Sequence, residues 1–161
     1  MRSEALCGRE RRAAMRWLTG LAAGGIGMGT GIRHATAATL EADMAAGFAA
    51  STFEEALRAL GGVAAHSLEI TLEAPETAEN GSAVAVSVTS RLPGTEAITI
   101  VVDSNPVPTA AAFTIPAGTE PFIATRIKMA QSGHVYAIVR AEGRLYGTSC
   151  FTRVVVGGCG G

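Results

Sequence analysis

The residues from 157 to 161 carry the feature of this sequence that most suggests covalent chemistry. They read Gly157-Gly158-Cys159-Gly160-Gly161, so that two glycines flank one thiol on each side. Glycine leaves φ and ψ broadly free, and such a segment at a chain end is expected to be flexible. Five residues extend at most about 16–18 Å. The sequence therefore predicts a swinging arm with one functional group, the sulfur of Cys159; a frayed end or a plain disulfide partner is the alternative interpretation.

The neighbourhood of Cys159 contains nothing that would activate its thiol. A free cysteine has a pKa of about 8.5, so only a few per cent is thiolate near neutral pH. Thiol enzymes lower that pKa with a base or cation beside the nucleophile, and the glycine arm has neither. The pattern therefore favours a carrier that docks, reacts in another protein's site and leaves. A thiol enzyme acting alone, such as a persulfide-handling transferase, is the less favoured hypothesis.

Standard catalytic, cofactor and metal motifs are missing from the sequence. It contains no G-x-S-x-G, P-loop, H-E-x-x-H or C-x-x-C pattern. His66 and His134 are far apart in sequence and form no recognisable metal set with the cysteines. We expect His134 to be an ordinary hydrogen-bonded residue at the start of a strand, and we predict neither a metal nor a cofactor.

The first 37 residues differ in charge from the rest of the chain and resemble a signal peptide. They hold six arginines and two glutamates, whereas the remainder has seven basic and twelve acidic residues. The twin arginines Arg11-Arg12 precede an uncharged, glycine-rich run over residues 17–32, and Ala35-Thr36-Ala37 is a small-residue cleavage pattern. The run is shorter than the roughly 20 residues of a membrane helix. These features predict a Tat-like signal over 1–37, no permanent membrane anchor and no nucleic-acid binding by the acidic body.

Residues 38–156 read as one domain with a helix followed by strands. Ser51 and Glu54 have capping-box spacing, which predicts a short helix that ends at Gly61-Gly62. After this helix, apolar residues recur at every second position. Strands are predicted around 68–72, 84–88, 98–102, 113–115, 122–129, 134–140 and 144–156, with turns at Asn80-Gly81 and Glu142-Gly143. This spacing, without a βαβ rhythm, is typical of an antiparallel β-sandwich.

Several segments of the sequence resemble a known family. The tail over residues 157–161 is similar to the terminal signature of the SoxY family, the sulfur carriers of thiosulfate oxidation. The resemblance continues in Thr71-Leu72-Glu73-Ala74-Pro75-Glu76, in Ala78-Glu79-Asn80-Gly81, in Thr125-Arg126-Ile127-Lys128-Met129-Ala130 and in the hairpin of residues 142–146. It spans residues 48–161, together with a leader of the family's kind.

The resemblance implies a periplasmic, Ig-like β-sandwich that forms a heterodimer with SoxZ and is not itself an enzyme. Cys159 carries over as the covalent attachment site, and Gly157, Gly158, Gly160 and Gly161 carry over as its arm. The cytochrome SoxAX would join thiosulfate to the thiol, and SoxB would hydrolyse off sulfate. SoxCD, where present, would oxidise the remaining sulfur. A leader that exports folded cargo suits a partner that has no signal of its own.

Cys150 departs from the family pattern. It lies nine positions before Cys159, on the last predicted strand. A small buried apolar residue is one interpretation. The other is a Cys150–Cys159 disulfide that holds the arm against the sandwich, which requires Cα atoms within about 7 Å. Counting free thiols in the isolated oxidised protein separates the two. A structural or metal-delivery sandwich with an incidental tail is the remaining alternative for the protein as a whole.

Overall fold

The computed structural model describes residues 37–155, which form two helices followed by nine strands. The helices are α1 (Ala37–Ala49) and α2 (Phe53–Ala59). The strands are β1 (Ala65–His66), β2 (Ile70–Glu73), β3 (Thr77–Ala78), β4 (Val84–Ser90), β5 (Thr95–Val102), β6 (Thr109–Thr114), β7 (Phe122–Ile127), β8 (Gly133–Ala141) and β9 (Arg144–Val154). No helix among these residues is long and apolar enough to span a bilayer.

Two sheets face each other. The larger has the order β1-β9-β8-β5-β6, with β3 also paired to β9, and the smaller has the order β2-β4-β7. Every pairing is antiparallel except those of β1 and β3, which run parallel to β9. The mainly β, antiparallel sandwich predicted from the sequence is confirmed, and an Ig-like arrangement is compatible with it.

The core lies between the two sheets and follows from the period-two pattern of the strands. Inward side chains of β4 are almost fully buried, and the inward side chains of β5 and β8 meet them from the other sheet. These central residues are Val84, Val86, Val88, Ile98, Ile100, Val102, Val135, Ala137 and Val139. Burial of such side chains contributes about 1.5–3 kcal/mol each, so this cluster holds the sheets together.

Both helices pack on the outer face of the larger sheet. Ala56, Leu57 and Leu60 form a second apolar cluster with Val101 and Ile138. Helix α1 is absent from the sequence-based description, which expected a single helix. Its carboxyl end is fixed to β6, because the buried hydroxyl of Thr109 donates to the carbonyl of Gly47 at 2.8 Å.

The start of α2 corrects the predicted capping box by one residue. Thr52, not Ser51, is the N-cap, and its hydroxyl accepts from the backbone N–H of Glu55 at 3.2 Å. The Glu55 carboxylate in turn accepts from the N–H of Thr52 and from both the N–H and the hydroxyl of Ser51. Glu54, the predicted partner, takes no part in the box. The Thr52 register prevails because it lets one carboxylate satisfy donors on two residues.

Most predicted strands are present, with shifted ends. The prediction around 68–72 is wrong at Leu68, which is 86% exposed and precedes β2. The strand near Phe113 begins at Thr109, directly after Pro108. The two-residue strands β1 and β3 were not predicted, because two residues are too few to show a period.

Candidate functional site: the strand that leads to Cys159

Strand β9 connects the sandwich to the predicted arm. It pairs with β8 from Arg144↔Ala141 to Thr152↔Gly133. On its other edge β1 pairs near Tyr146 and β3 pairs at Arg153 and Val154. Because both edges are occupied, β9 is held along most of its length, and the thiol lies only a few residues beyond its end.

The predicted attachment site and arm lie outside the described residues. These are Gly157, Gly158, Cys159, Gly160 and Gly161, and the leader residues Arg11 and Arg12 are outside as well. Their roles stay predictions. The structure does describe where the chain leaves the fold, the surroundings of that point and the position of Cys150.

The last residues of β9 are hydrogen-bonded on both edges. The N–H of Arg153 donates to the carbonyl of Glu76, and the N–H of Val155 donates to that of Ala78, both at 2.9 Å. On the opposite edge, the Ser132 hydroxyl accepts from the N–H of Val154 at 2.9 Å and lies 3.4 Å from its carbonyl oxygen. The chain is therefore secured up to Val155, and we call residues 153–155 the root of the arm.

The Asn80-Gly81 turn packs closely against this root. The N–H of Met129 donates to the carbonyl of Gly81 at 2.7 Å. A Cβ at position 81 would overlap the carbonyl oxygen of Met129 and lie 2.9 Å from Cγ1 of Val154. Glycine is required here for space and not for an unusual φ, since Gly81 is not among the positive-φ glycines.

Cys150 is a core residue. It is 6% exposed, faces the space between the sheets and lies opposite Val135 on β8. That environment is the one expected of a small apolar side chain. The Cys150–Cys159 disulfide stays a prediction, because Cys159 lies outside residues 37–155.

A cluster of side chains around His134 lies beside the root, on the outer face of the larger sheet. Nδ1 of His134 is 3.2 Å from Oδ2 of Asp103, and the His134 backbone N–H donates to Oδ1 at 2.9 Å. The His134 ring meets that of Phe151 edge-on, with centroids 5.2 Å apart. The hydrogen-bonded histidine predicted from the sequence is confirmed. Burial, and secondarily the Asp103 charge, raises the pKa of nearby Tyr136.

The described residues contain no group that would hold a metal. Between 37 and 155, no three His, Cys, Asp or Glu side chains lie close enough together to ligate one ion. His66 is an exposed residue of the short β1, on the edge of β9 opposite β8, so the topology does not place it beside His134.

Sequence reasoning missed the two partners that hydrogen-bond to the root, Ser132 and β3. Ser132 stands between Gln131 and Gly133, where serine is typical of an ordinary loop. Thr77 and Ala78 lie between Glu76 and Glu79, where flanking charges are typical of a solvated loop. Neither position carries a local signal, because each acquires its partner only when β9 is in place.

A comparison with protein-family models identifies the chain. The model described as sulfur oxidation protein SoxY matches residues 57–159, which is most of the described domain and reaches the cysteine of the arm. The chain belongs to the SoxY family. The family identified from the sequence is therefore confirmed, and it supports a sulfur-carrier role in sulfur oxidation, alongside other components of the Sox system.

Solved structures agree with this family. The structure of the sulfur carrier protein SoxY from Chlorobium limicola f thiosulfatophilum is 33% identical, with a TM-score of 0.59, over 66% of this chain and 95% of that one. A superoxide reductase (neelaredoxin) from Ignicoccus hospitalis is 20% identical with a TM-score of 0.47, over 53% of this chain and 79% of that one, a similarity too low to define a shared fold. No individually curated protein matches the sequence.

Proposed function

We propose that this SoxY protein carries thiosulfate-derived sulfur covalently on Cys159 and presents it to partner enzymes in the periplasm, as a heterodimer with SoxZ. The observation that carries the proposal is the family match, which extends into the glycine arm as far as Cys159. The root of the arm supports it, because hydrogen bonds secure the chain up to Val155, and Cys159 follows four residues later in the sequence.

The length of the arm suits delivery into another protein's site. From Val155 to Cys159 the extended chain spans at most about 13–14 Å. Glycines present no side chains on either side of the thiol, so the segment is narrow enough to enter a restricted channel. The sequence offers no base or cation beside Cys159, and the docking enzyme would supply activation.

The proposed chemistry balances with partners that supply or accept each component. Loading joins the Cys159 sulfur to the outer sulfur of thiosulfate and forms an S-thiosulfonate; the cytochrome SoxAX accepts the two electrons, and the thiol proton is released. SoxB then adds water across the bond to the sulfonate sulfur, which releases sulfate and leaves a persulfide on Cys159. Where SoxCD is present, it accepts the electrons from oxidation of the outer persulfide sulfur while water supplies the oxygens, which gives an S-sulfonate on Cys159; hydrolysis by SoxB then releases a second sulfate and restores the thiol.

Export is proposed from the leader. Arg11-Arg12 and the pattern Ala35-Thr36-Ala37 support a twin-arginine route and cleavage after Ala37. Helix α1 begins at Ala37, so cleavage there would leave the helix almost whole and all of the sandwich intact. Export in the folded state would carry SoxZ along in the same complex.

The test compares two cysteine variants of the full chain, co-expressed with SoxZ and exposed to thiosulfate with SoxAX. Intact-mass measurement should show an adduct on the wild type and on Cys150→Ala, and none on Cys159→Ser. Sulfate production by the reconstituted system should disappear only in Cys159→Ser.

Two results would contradict the proposal. Full sulfate production by Cys159→Ser, or by a chain that lacks residues 157–161, would favour the structural or metal-delivery alternative. Turnover of thiosulfate or polysulfide by the isolated protein would favour a thiol enzyme.

A further inference from the structure

We infer that Ser132 is a positioning residue for sulfur delivery, because its hydroxyl fixes the point at which the arm leaves the fold. The inference rests on the proposed carrier function of Cys159. It is drawn from the hydrogen bonds at the root of the arm, all of which join described residues.

Successive residues of the root bond to opposite edges, as in any strand. Arg153 and Val155 direct their N–H groups to the carbonyls of Glu76 and Ala78, next to and in β3. Val154 directs its N–H and carbonyl the other way, toward the side of β8. If that side were empty, only one edge of the root would be held.

Strand β8 cannot serve Val154, because its ladder with β9 begins at Gly133↔Thr152. Before Gly133 the chain turns away from β9. The carbonyl of Gln131 accepts from the Ser104 hydroxyl at 3.2 Å, and the N–H of Ala130 donates to Oδ1 of Asn105 at 2.8 Å. The backbone that would otherwise continue the ladder is committed to the neighbouring turn.

The Ser132 hydroxyl forms the hydrogen bonds that β8 does not make with Val154. A hydroxyl both donates and accepts, so one side chain can satisfy both the N–H and the carbonyl of Val154. Alanine or glycine at position 132 would leave these two half-buried backbone groups to water. Such groups open locally far more readily than paired ones.

The position of this contact sets the pivot of the arm. With Ser132 in place the chain is held through Val154, and without it the last secured ladder residue on that side is Thr152. In that case only the bonds to Glu76 and Ala78 hold the root, which therefore opens more readily, and each opening lengthens the segment before Cys159. Its effective concentration at a docking site falls with length, and small misplacements of a reacting group reduce rates.

Three variants of the full chain in complex with SoxZ isolate the hydroxyl. Ser132→Ala removes it, and Ser132→Thr keeps it. Ser87→Ala is the matched control, because the Ser87 hydroxyl donates to Oε2 of Glu73 at 2.7 Å on the opposite sheet.

The first measurement is amide hydrogen exchange at Val154 and Val155. Loss of the two bonds should accelerate exchange at Val154 by about tenfold, with a smaller change at Val155. Ser132→Thr should restore the protection of Val154, and Ser87→Ala should leave it unchanged. Unaltered exchange in Ser132→Ala, or failure of Ser132→Thr to restore it, would overturn the inference.

The second measurement is sulfate production by the reconstituted pathway, with the carrier complex as the varied substrate. Ser132→Ala should raise KM for the carrier about twofold to fivefold and leave kcat unchanged, because the docked thiol reacts as before. An unchanged KM, or an equal rise in Ser87→Ala, would refute the positioning role.

Failure of this inference is distinguishable from failure of the proposed function. The Cys159 adduct should form on Ser132→Ala as on the wild type, so loss of positioning with an intact adduct concerns Ser132 alone. If the wild type takes up no adduct, the carrier function is wrong, and the exchange result at Val154 stands independently of it.

Discussion

The guanidinium of Arg140 joins both helices to the larger sheet: Nη2 donates to Oδ2 of Asp43 at 2.7 Å and to the carbonyl of Leu60 at 2.6 Å. Asp43 belongs to α1, Leu60 caps the end of α2, and Arg140 lies on the outer face of β8. The side chain of Arg140 is 13% exposed and that of Asp43 is 28% exposed, so the pair is largely shielded from solvent. The proposed cleavage after Ala37 would leave both residues of the pair in the mature chain.

Removing this guanidinium should destabilise the domain. Arg140→Met leaves Asp43 and the Leu60 carbonyl without their partner, and we expect a loss of about 2–3 kcal/mol, less than for a fully buried pair. Urea denaturation followed by circular dichroism measures it. Arg126→Met, an exposed arginine of β7, is the control and should change stability by less than about 0.5 kcal/mol. Equal losses in both variants would contradict the role of the contact.

The capping box of α2 should weaken in acid. Hydrogen bonds from the backbone and hydroxyl of Ser51 lower the pKa of Glu55. A carboxyl with a lowered folded pKa contributes stability that is present above the unfolded pKa of roughly 4.3 and is lost as pH falls through the folded value. Glu55→Gln should therefore flatten the fall in stability between about pH 5 and 3. Glu54→Gln, outside the box, should keep the wild-type profile; identical profiles in the two variants would refute the assignment.

The two glycines Gly81 and Gly47 should respond oppositely to alanine. In Gly81→Ala the new methyl meets backbone at Met129, so we expect a loss of about 1–3 kcal/mol. In Gly47→Ala the new methyl lies 3.4 Å from the side chains of Leu60 and Thr109, which is an ordinary contact distance. Because position 47 is in helix α1, alanine should stabilise that helix by up to about 1 kcal/mol. Thermal unfolding distinguishes them. A neutral Gly81→Ala would show that the turn can move away from the root.

Replacing Thr152 by valine should stabilise the protein. Thr152 is fully buried, and its hydroxyl finds no hydrogen-bond partner among the described residues. Removing an unsatisfied buried hydroxyl with little change of shape should gain about 1 kcal/mol. Thr109→Val is the matched control with the opposite sign, because the Thr109 hydroxyl donates to the Gly47 carbonyl. Destabilisation by Thr152→Val, measured by urea denaturation, would indicate a partner for that hydroxyl.

Period-two alternation was sufficient to predict the larger strands. In β4 the inward valines alternate with the small or polar residues Ala85, Ser87 and Thr89, and this pattern indicates which face is buried. Helix α1 was missed for a physical reason. Its residues are rich in alanine, and its first turn contains no acidic residue, so its signal is propensity without a strong face. Leu40 and Met44, four residues apart, were the available hint.

The candidate site likewise has one part that the sequence predicts and one part that it does not. The arm was recognisable because a thiol between glycines is a local property of residues 157–161. The root was not, because Ser132, Glu76 and Ala78 are far from Val155 in sequence and bond only through tertiary structure. Likewise, Ser51 and Thr52 both precede a glutamate at capping-box spacing, and spacing alone does not show that the Glu55 carboxylate accepts from both of them.

The ladders along β9 have a mechanical consequence for a carrier. An enzyme that bound the proposed arm and pulled along the direction of β9 would act across the hydrogen bonds to β8, because these lie perpendicular to the strand. Such a load is shared by many bonds at once, and they cannot be peeled apart in sequence. The parallel contacts of β1 and β3 on the other edge share the same tension. We therefore expect the sandwich to stay folded when force is applied repeatedly at the end of β9.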